Sequence, residues 1–184
     1  MKKTLIFNGS PRVKGDTVSL IDAIVKELDG EYKIINAYRS SVAPCIDCRY
    51  CYENPGCAIN DGMQAIYSYI EECDNIIIAS PIYFSELTGR FLDVASRLQT
   101  YYCARHLRNE EPVQKPKKGG VILVGGIDGD VSRAYGTACA VLHQMNCNNV
   151  FEAVTSSHTH VRPATEDNVA LEGIKSLARF LNGD

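Results

Sequence analysis

Phe7-Asn8-Gly9-Ser10-Pro11-Arg12-Val13-Lys14-Gly15-Asp16-Thr17 leaves the apolar run Thr4–Phe7 and enters a segment with apolar residues at Leu20, Ile21, Ile24, Val25 and Leu28. A short buried strand, a Gly-containing polar turn and a helical period make a βα unit. The turn sets Gly, Ser and Thr around a helix N-terminus, where unpaired N–H groups and the positive end of the dipole attract an anion. Ser10 and Thr17 offer hydroxyls to phosphate oxygens, and Arg12 and Lys14 offer cations. The loop has neither the Walker A spacing nor Gly-x-Gly-x-x-Gly, so a monophosphate is a better match than a triphosphate or dinucleotide. The competing reading is a plain capped turn, with Asp16 or Thr17 as the cap and Gly9 and Gly15 serving backbone geometry.

The same alternation continues outward. Strands are expected at Thr4–Phe7, Tyr32–Ala37, Asn75–Ser80, Gly120–Gly125 and Val150–Thr155, mostly continuous Ile/Val/Leu runs of the kind buried on both faces. Helical stripes fall on Met63, Ile66, Tyr67 and Ile70; on Ala138, Val141, Leu142 and Met145; and on Leu171, Ile174, Leu177, Ala178 and Leu181. A long third helix fits Phe91, Ala95, Leu98 and Tyr102. Five parallel strands with right-handed crossovers give a three-layer α/β/α sandwich, whose ligand sits beyond the carboxyl ends of the strands. The chain of 184 residues suits a single domain over 1–184.

A net charge of −3 with 22% charged residues gives no excess that points to nucleic acid or an anionic membrane surface. The apolar run Leu5–Phe7 is far shorter than a signal-peptide core of roughly 7–15 residues. No stretch approaches the roughly 20 apolar residues of a bilayer span. A cytoplasmic location is therefore expected, where eight cysteines do not read as structural disulfides.

Four of those cysteines lie in the aperiodic segment 40–62, in the pattern CxxCxxCx5C: Cys45, Cys48, Cys51 and Cys57. Loops longer than roughly 12–15 residues are commonly functional. Three cysteines at steps of three with a fourth downstream can close around an iron–sulfur cluster. Zinc knuckles normally have a longer spacer between their pairs. The open readings are a cluster, zinc, a reversible disulfide and reduced thiols. Cys73, Cys103, Cys139 and Cys147 have no partner spacing and read as small buried apolar residues. His158 and His160, in a loop after the last strand, read as surface histidines ahead of a metal pair or proton donor.

After the third strand, Ser80-Pro81-Ile82-Tyr83-Phe84 can set an aromatic wall beside a ring system. After the fourth, Gly125-Gly126-Ile127-Asp128-Gly129 allows close backbone approach to a planar ligand. With "FNGSPRVKGDT", "SPIYF" and the cysteine pattern, the chain resembles the NADPH-dependent FMN reductase family of the flavodoxin-like superfamily, and its iron–sulfur flavoprotein relatives. The resemblance implies a flavodoxin-like, five-stranded parallel sheet of order 2-1-3-4-5. It implies that Ser10, Arg12 and Thr17 hold the FMN phosphate, that Pro81, Ile82, Tyr83 and Phe84 line the isoalloxazine, and that Gly125 and Gly126 face its pyrimidine end. In the iron–sulfur relatives the four cysteines of this motif hold a [4Fe–4S] cluster, which implies that role for Cys45, Cys48, Cys51 and Cys57.

There are departures. Asp16 stands where the family has Asn, and a carboxylate beside a phosphate is unfavourable unless it turns outward or is balanced. In the segment after "SPIYF", Gly89 and Arg97 keep the family register while Leu92 and Ser96 replace its Lys and Asp. The implied activity is FMN-dependent oxidoreduction fed by NAD(P)H, with small-molecule donor and acceptor, no side-chain nucleophile, and a homodimer or homotetramer. The alternatives are an iron–sulfur flavoprotein carrying electrons between ferredoxin-like donors and acceptors, and a non-catalytic FMN-binding, zinc or disulfide redox sensor.

Overall fold

The protein is described as a computed structural model over residues 1–183. In chain order its main elements are β1 (Lys3–Asn8), α1 (Asp16–Glu27), β2 (Glu31–Asn36), α2 (Tyr50–Glu53), α3 (Met63–Glu72), β3 (Asn75–Pro81), α4 (Gly89–Ser96), α5 (Gln99–Leu107), β4 (Lys117–Val124), α6 (Ser132–Gln144), β5 (Cys147–Val150), β6 (Val154–Ser156) and α7 (Asn168–Asn182). The strands form one parallel sheet of order β2-β1-β3-β4-β5, with β6 also pairing β4.

Successive residues of the inner strands serve opposite faces. Leu5, Phe7, Ile76, Ile78, Val121 and Leu123 join a core under α3, α4, α5 and α6, while Ile6, Ile77, Ala79 and Ile122 join one under α1 and α7. This double burial is why the strands read as unbroken apolar runs. The chain order reverses between β1 and β3, so the loops after them leave toward opposite faces and open a crevice at the carboxyl edge.

Two expectations need correction. The fifth strand, expected at Val150–Thr155, is two pieces, β5 and β6, flanking 151–153. The interruption accompanies a register shift of β5 against Lys117 and Lys118, with Phe151 N–H still bonded to the Gly119 carbonyl at 2.9 Å. The long third helix through Phe91 and Tyr102 is two helices, α4 and α5, broken at Arg97 and Leu98. The Tyr67 hydroxyl donates to the Arg97 carbonyl at 2.7 Å, and the Arg97 side chain is drawn across to segment 40–62. No helix among the described residues is long and apolar enough to cross a membrane.

Candidate functional site

The turn after β1 is shaped by its own side chains. Asn8 Oδ1 accepts from Ser10 N–H at 2.9 Å, and Ser10 Oγ accepts from Arg12 N–H at 3.2 Å. Such short-range bonds are how Asn and Ser draw backbone into turns. Gly15 precedes α1 in extended backbone and makes no side-chain cap bond, so the first-turn N–H groups of α1 face the cleft without one. Ser10 and Thr17 are buried beside them, and a cleft of about 270 Å³ is lined by Ser10, Arg12, Gly15 and Thr17 on one side and by Pro81 and Tyr83 on the other. Asp16 lies at this cleft too, but its carboxylate accepts from Ala164 N–H at 2.8 Å, so part of its charge is held by backbone.

The opposite wall comes from the loops after β3 and β4. Ile82 N–H donates to the Val124 carbonyl at 2.8 Å, locking the two loops together. Tyr83 and Glu86 exchange backbone bonds of 2.9 and 3.0 Å around Phe84 and Ser85, which both take left-handed backbone (φ 54° and 60°). That conformation suits Asn or Gly and costs a bulky residue of order 1 kcal/mol or more. It leaves Phe84 98% exposed at the rim.

A second cleft of about 590 Å³, sharing Ile82 and Gly126 with the first, lies over Gly125, Ile127 and Asp128. A Cβ on Gly126 would meet no protein atom within 4 Å, so the space above it belongs to the cleft. Positive φ is not what these glycines supply, since among the described residues it occurs at Gly30, Gly56 and Gly183 instead. Asp130, two residues before Ser132 at the start of α6, accepts from Ser132 N–H and Oγ at 2.8 Å each.

Thr88 lies outside every motif, whereas Ser80 opens segment 80–84. Thr88 and Ser80 tie the first and third loops, and Thr159 donates through N–H and Oγ1 to the Gly125 carbonyl at 3.2 and 3.1 Å. His160 is exposed, as expected, and its Nδ1 contacts the Gly126 carbonyl at the edge of the first cleft. His158 does lie outward, 3.3 Å from Asp128.

The cysteine segment is pinned by arginines. Arg90 donates to the carbonyls of Ala37, Ser40 and Val42, at 3.0, 3.3 and 2.8 Å, and Arg108 reaches the Cys51 carbonyl. Arg97, with a fully buried side chain, donates to the Ala43 carbonyl (3.0 Å), the Ile59 carbonyl (2.9 Å) and Asp61 Oδ2 (2.7 Å). Burial works against the charges of both partners. For Asp61, hydrogen bonds from Arg97, Ala43 and Met63 outweigh it and hold the carboxyl below its usual range. For Arg97, Asp61 and the neighbouring Cys57 outweigh it and hold the guanidinium above its usual value.

Cys45, Cys48, Cys51 and Cys57 all line one small cavity together with Arg97. All eight cysteines are free thiols. Among the described residues no three His, Cys, Asp or Glu side chains are grouped to hold a single metal ion. Arg97 Nε is buried with no hydrogen-bond partner, a donor left over at the wall of a thiol-lined cavity. A multi-iron cluster, whose sulfurs accept hydrogen bonds and whose thiolates stand apart, suits that donor set better than one tetrahedral ion.

Of the cysteines read as isolated, Cys73 and Cys147 are buried, and burial pushes the Cys73 thiol up to about 11. Cys139 is half-buried. Cys103 is buried as expected and lies against Cys51, whose thiol is pushed up to about 11 by burial and then by Cys103.

A model of the NADPH-dependent FMN reductase family matches residues 2–160. An iron–sulfur flavoprotein of Methanocaldococcus jannaschii is 32% identical over 127 residues, 67% of this chain and 62% of that one. Another, from Methanosarcina thermophila, is 27% identical over 184 residues, 95% of this chain and 91% of that one. The chain spans 51% to 62% of the length of the first three curated relatives it matches. The fold superimposes on the NAD(P)H:quinone oxidoreductase from Methanothermobacter marburgensis with a TM-score of 0.70 at 14% identity, covering 100% of this chain and 98% of that one.

Proposed function

Because the chain belongs to the NADPH-dependent FMN reductase family, we propose that it is an FMN-dependent oxidoreductase taking electrons from NAD(P)H and reducing a flavin, quinone or other small acceptor. One observation carries this reading: the first turn of α1, with no side-chain cap bond, opens with buried Ser10 and Thr17 onto a cleft that continues over Gly126. That is an anion seat joined to room for a flat ring.

Bound FMN supplies the hydride and electron chemistry. The chain's own groups hold and orient. In this reading Ser10, Thr17, Arg12 and the first-turn N–H groups of α1 hold the phosphate. Pro81, Ile82, Tyr83 and Phe84 line the ring, and Gly125 and Gly126 let backbone come close to it. The engagement of Asp130 with Ser132 and of Asp16 with Ala164 draws two carboxylates toward backbone partners. No side chain acts as nucleophile. We take residues 1–184 as one FMN-binding domain of a cytoplasmic homodimer or homotetramer.

Titration of the apoprotein with FMN tests the cofactor by quenching of flavin fluorescence, and anaerobic mixing with NADH or NADPH tests the donor by bleaching of the flavin band. A chain that takes up no FMN supplied in excess overturns the reading. Uptake without bleaching by either nucleotide rejects NAD(P)H as the donor, and absence of bleaching with every donor tried, ferredoxin-like ones included, assigns the chain to the non-catalytic sensors.

A second reading is favoured by the four thiols and the unpartnered Arg97 Nε: an iron–sulfur flavoprotein in which Cys45, Cys48, Cys51 and Cys57 hold a [4Fe–4S] cluster and electrons pass singly. Iron and sulfide analysis after anaerobic purification separates it from the first.

A further inference from the structure

The position of Arg97 is unusual for a clip. A guanidinium carries five N–H donors in a rigid fork. Nη1 and Nη2 serve Ala43, Ile59 and Asp61, which stand on both sides of the four cysteines in sequence. The fork is thereby fixed in place, and the backbone of Arg97 is fixed as well, through the Tyr67 hydroxyl on its carbonyl. The guanidinium nitrogen left with no partner is Nε, buried and on a residue that lines the thiol cavity beside Cys57. Leaving a buried donor unpaired costs roughly 1–3 kcal/mol, and a charged one more, and the acceptor beside it is the Cys57 sulfur. A clip alone needs only the Nη groups.

Resting on the iron–sulfur reading above, we propose that Arg97 Nε–H donates to the Cys57 sulfur of the cluster-loaded protein, and that Arg97 is the positioning residue that raises the cluster's reduction potential. The physics is that of hydrogen bonds to cluster sulfurs in general. Adding one electron to a thiolate-ligated cluster makes its sulfurs more negative. A fixed N–H and a buried positive charge stabilise the more negative state more than the less negative one. Lysine keeps a charge but has no planar fork, so Arg97→Lys cannot serve Ala43, Ile59, Asp61 and a sulfur together.

The test uses the full chain, reconstituted anaerobically with iron and sulfide, and reads the cluster rather than turnover. The wild-type protein is made with arginine labelled at Nε with ¹⁵N and reduced by one electron. Pulsed electron paramagnetic resonance then shows a ¹⁵N hyperfine coupling, which persists in Arg49→Lys, the other arginine lining the cavity. In Arg97→Lys the cluster loads, the coupling is gone, and the ratio of reduced to oxidised cluster at a fixed potential falls at least tenfold, about 59 mV for a one-electron couple.

A loaded wild-type cluster without that coupling overturns the proposal, as does Arg97→Lys with an unchanged potential. Should Arg97→Lys fail to fold or load, the coupling in the wild type and its survival in Arg49→Lys decide alone. A wild-type chain that binds no iron and sulfide overturns the iron–sulfur reading itself, and the two failures are told apart by iron content.

Discussion

The Thr88 hydroxyl donates to the Gly9 carbonyl at 2.8 Å, filling the place of an amide hydrogen that Pro81 lacks. Gly9 N–H follows the parallel ladder to the Ala79 carbonyl at 2.8 Å, and the partner next due to its own carbonyl is the nitrogen of Pro81. Thr88 N–H returns to Ser80 Oγ at 3.3 Å, so α4, β3 and the turn after β1 meet at one stitch.

Thr88→Val removes that donor at nearly constant shape and leaves a buried carbonyl unpaired. Thr88 is fully buried, so the expected loss is about 1–3 kcal/mol in denaturant unfolding, with weaker FMN uptake because the phosphate turn is freed.

Gly9→Ala attacks the same stitch by crowding. The new Cβ would stand 2.9 Å from Ser80 Oγ and 3.2 Å from Thr88 Oγ1, both buried. Overpacking of this kind costs roughly 1–3 kcal/mol, read as a lower denaturation midpoint.

Gly126→Val separates fold from site. With no protein atom within 4 Å of the Cβ, unfolding stability stays within about 0.5 kcal/mol, while FMN affinity drops at least about tenfold, near 1.4 kcal/mol. Equal affinity in a fluorescence titration would move the ring away from this loop.

Asp61→Asn leaves the Arg97 charge without its counterion. The Arg97 side chain is 0% exposed and that of Asp61 14%, so a loss of about 3 kcal/mol is expected in chemical denaturation. Asp61 has its folded pKa below the unfolded value of about 3.9, so its contribution is present above that pH and fades as pH falls through the folded value. The difference between wild type and Asp61→Asn therefore shrinks in acid, which urea midpoints measured below pH 4 would register.

Stripping iron from cluster-loaded protein frees Cys45, Cys48, Cys51 and Cys57, none of which is fully buried. A thiol reagent counts four more reactive groups in the native apoprotein than in the loaded one, while buried Cys73, Cys103 and Cys147 stay silent in both. A rise other than four would change the ligand set.

Much of this was readable from residues. Ile76-Ile77-Ile78 announced a strand covered on both faces, and the Gly-Ser-Pro-Arg turn announced an anion seat at a helix start. The break at Arg97 was invisible, because Phe91, Ala95, Leu98 and Tyr102 keep one helical period straight through it. What ends α4 is tertiary: the Tyr67 hydroxyl on the Arg97 carbonyl and three acceptors around its guanidinium. Thr88 belongs to no motif. The one clue to it was Pro81, since a proline in an inner parallel strand obliges some other group to supply a donor.

The arginine fork that grips the backbone at Ala43 and Ile59 draws together the ends of the stretch holding all four loop cysteines, as a crosslink would, though it can let go. The stretch is thus poised to open and reseal as one cooperative unit while the sheet beneath stays intact. Its amides should trade hydrogen for deuterium together, faster than those of β1 or β3, and so give metal a way in without global unfolding.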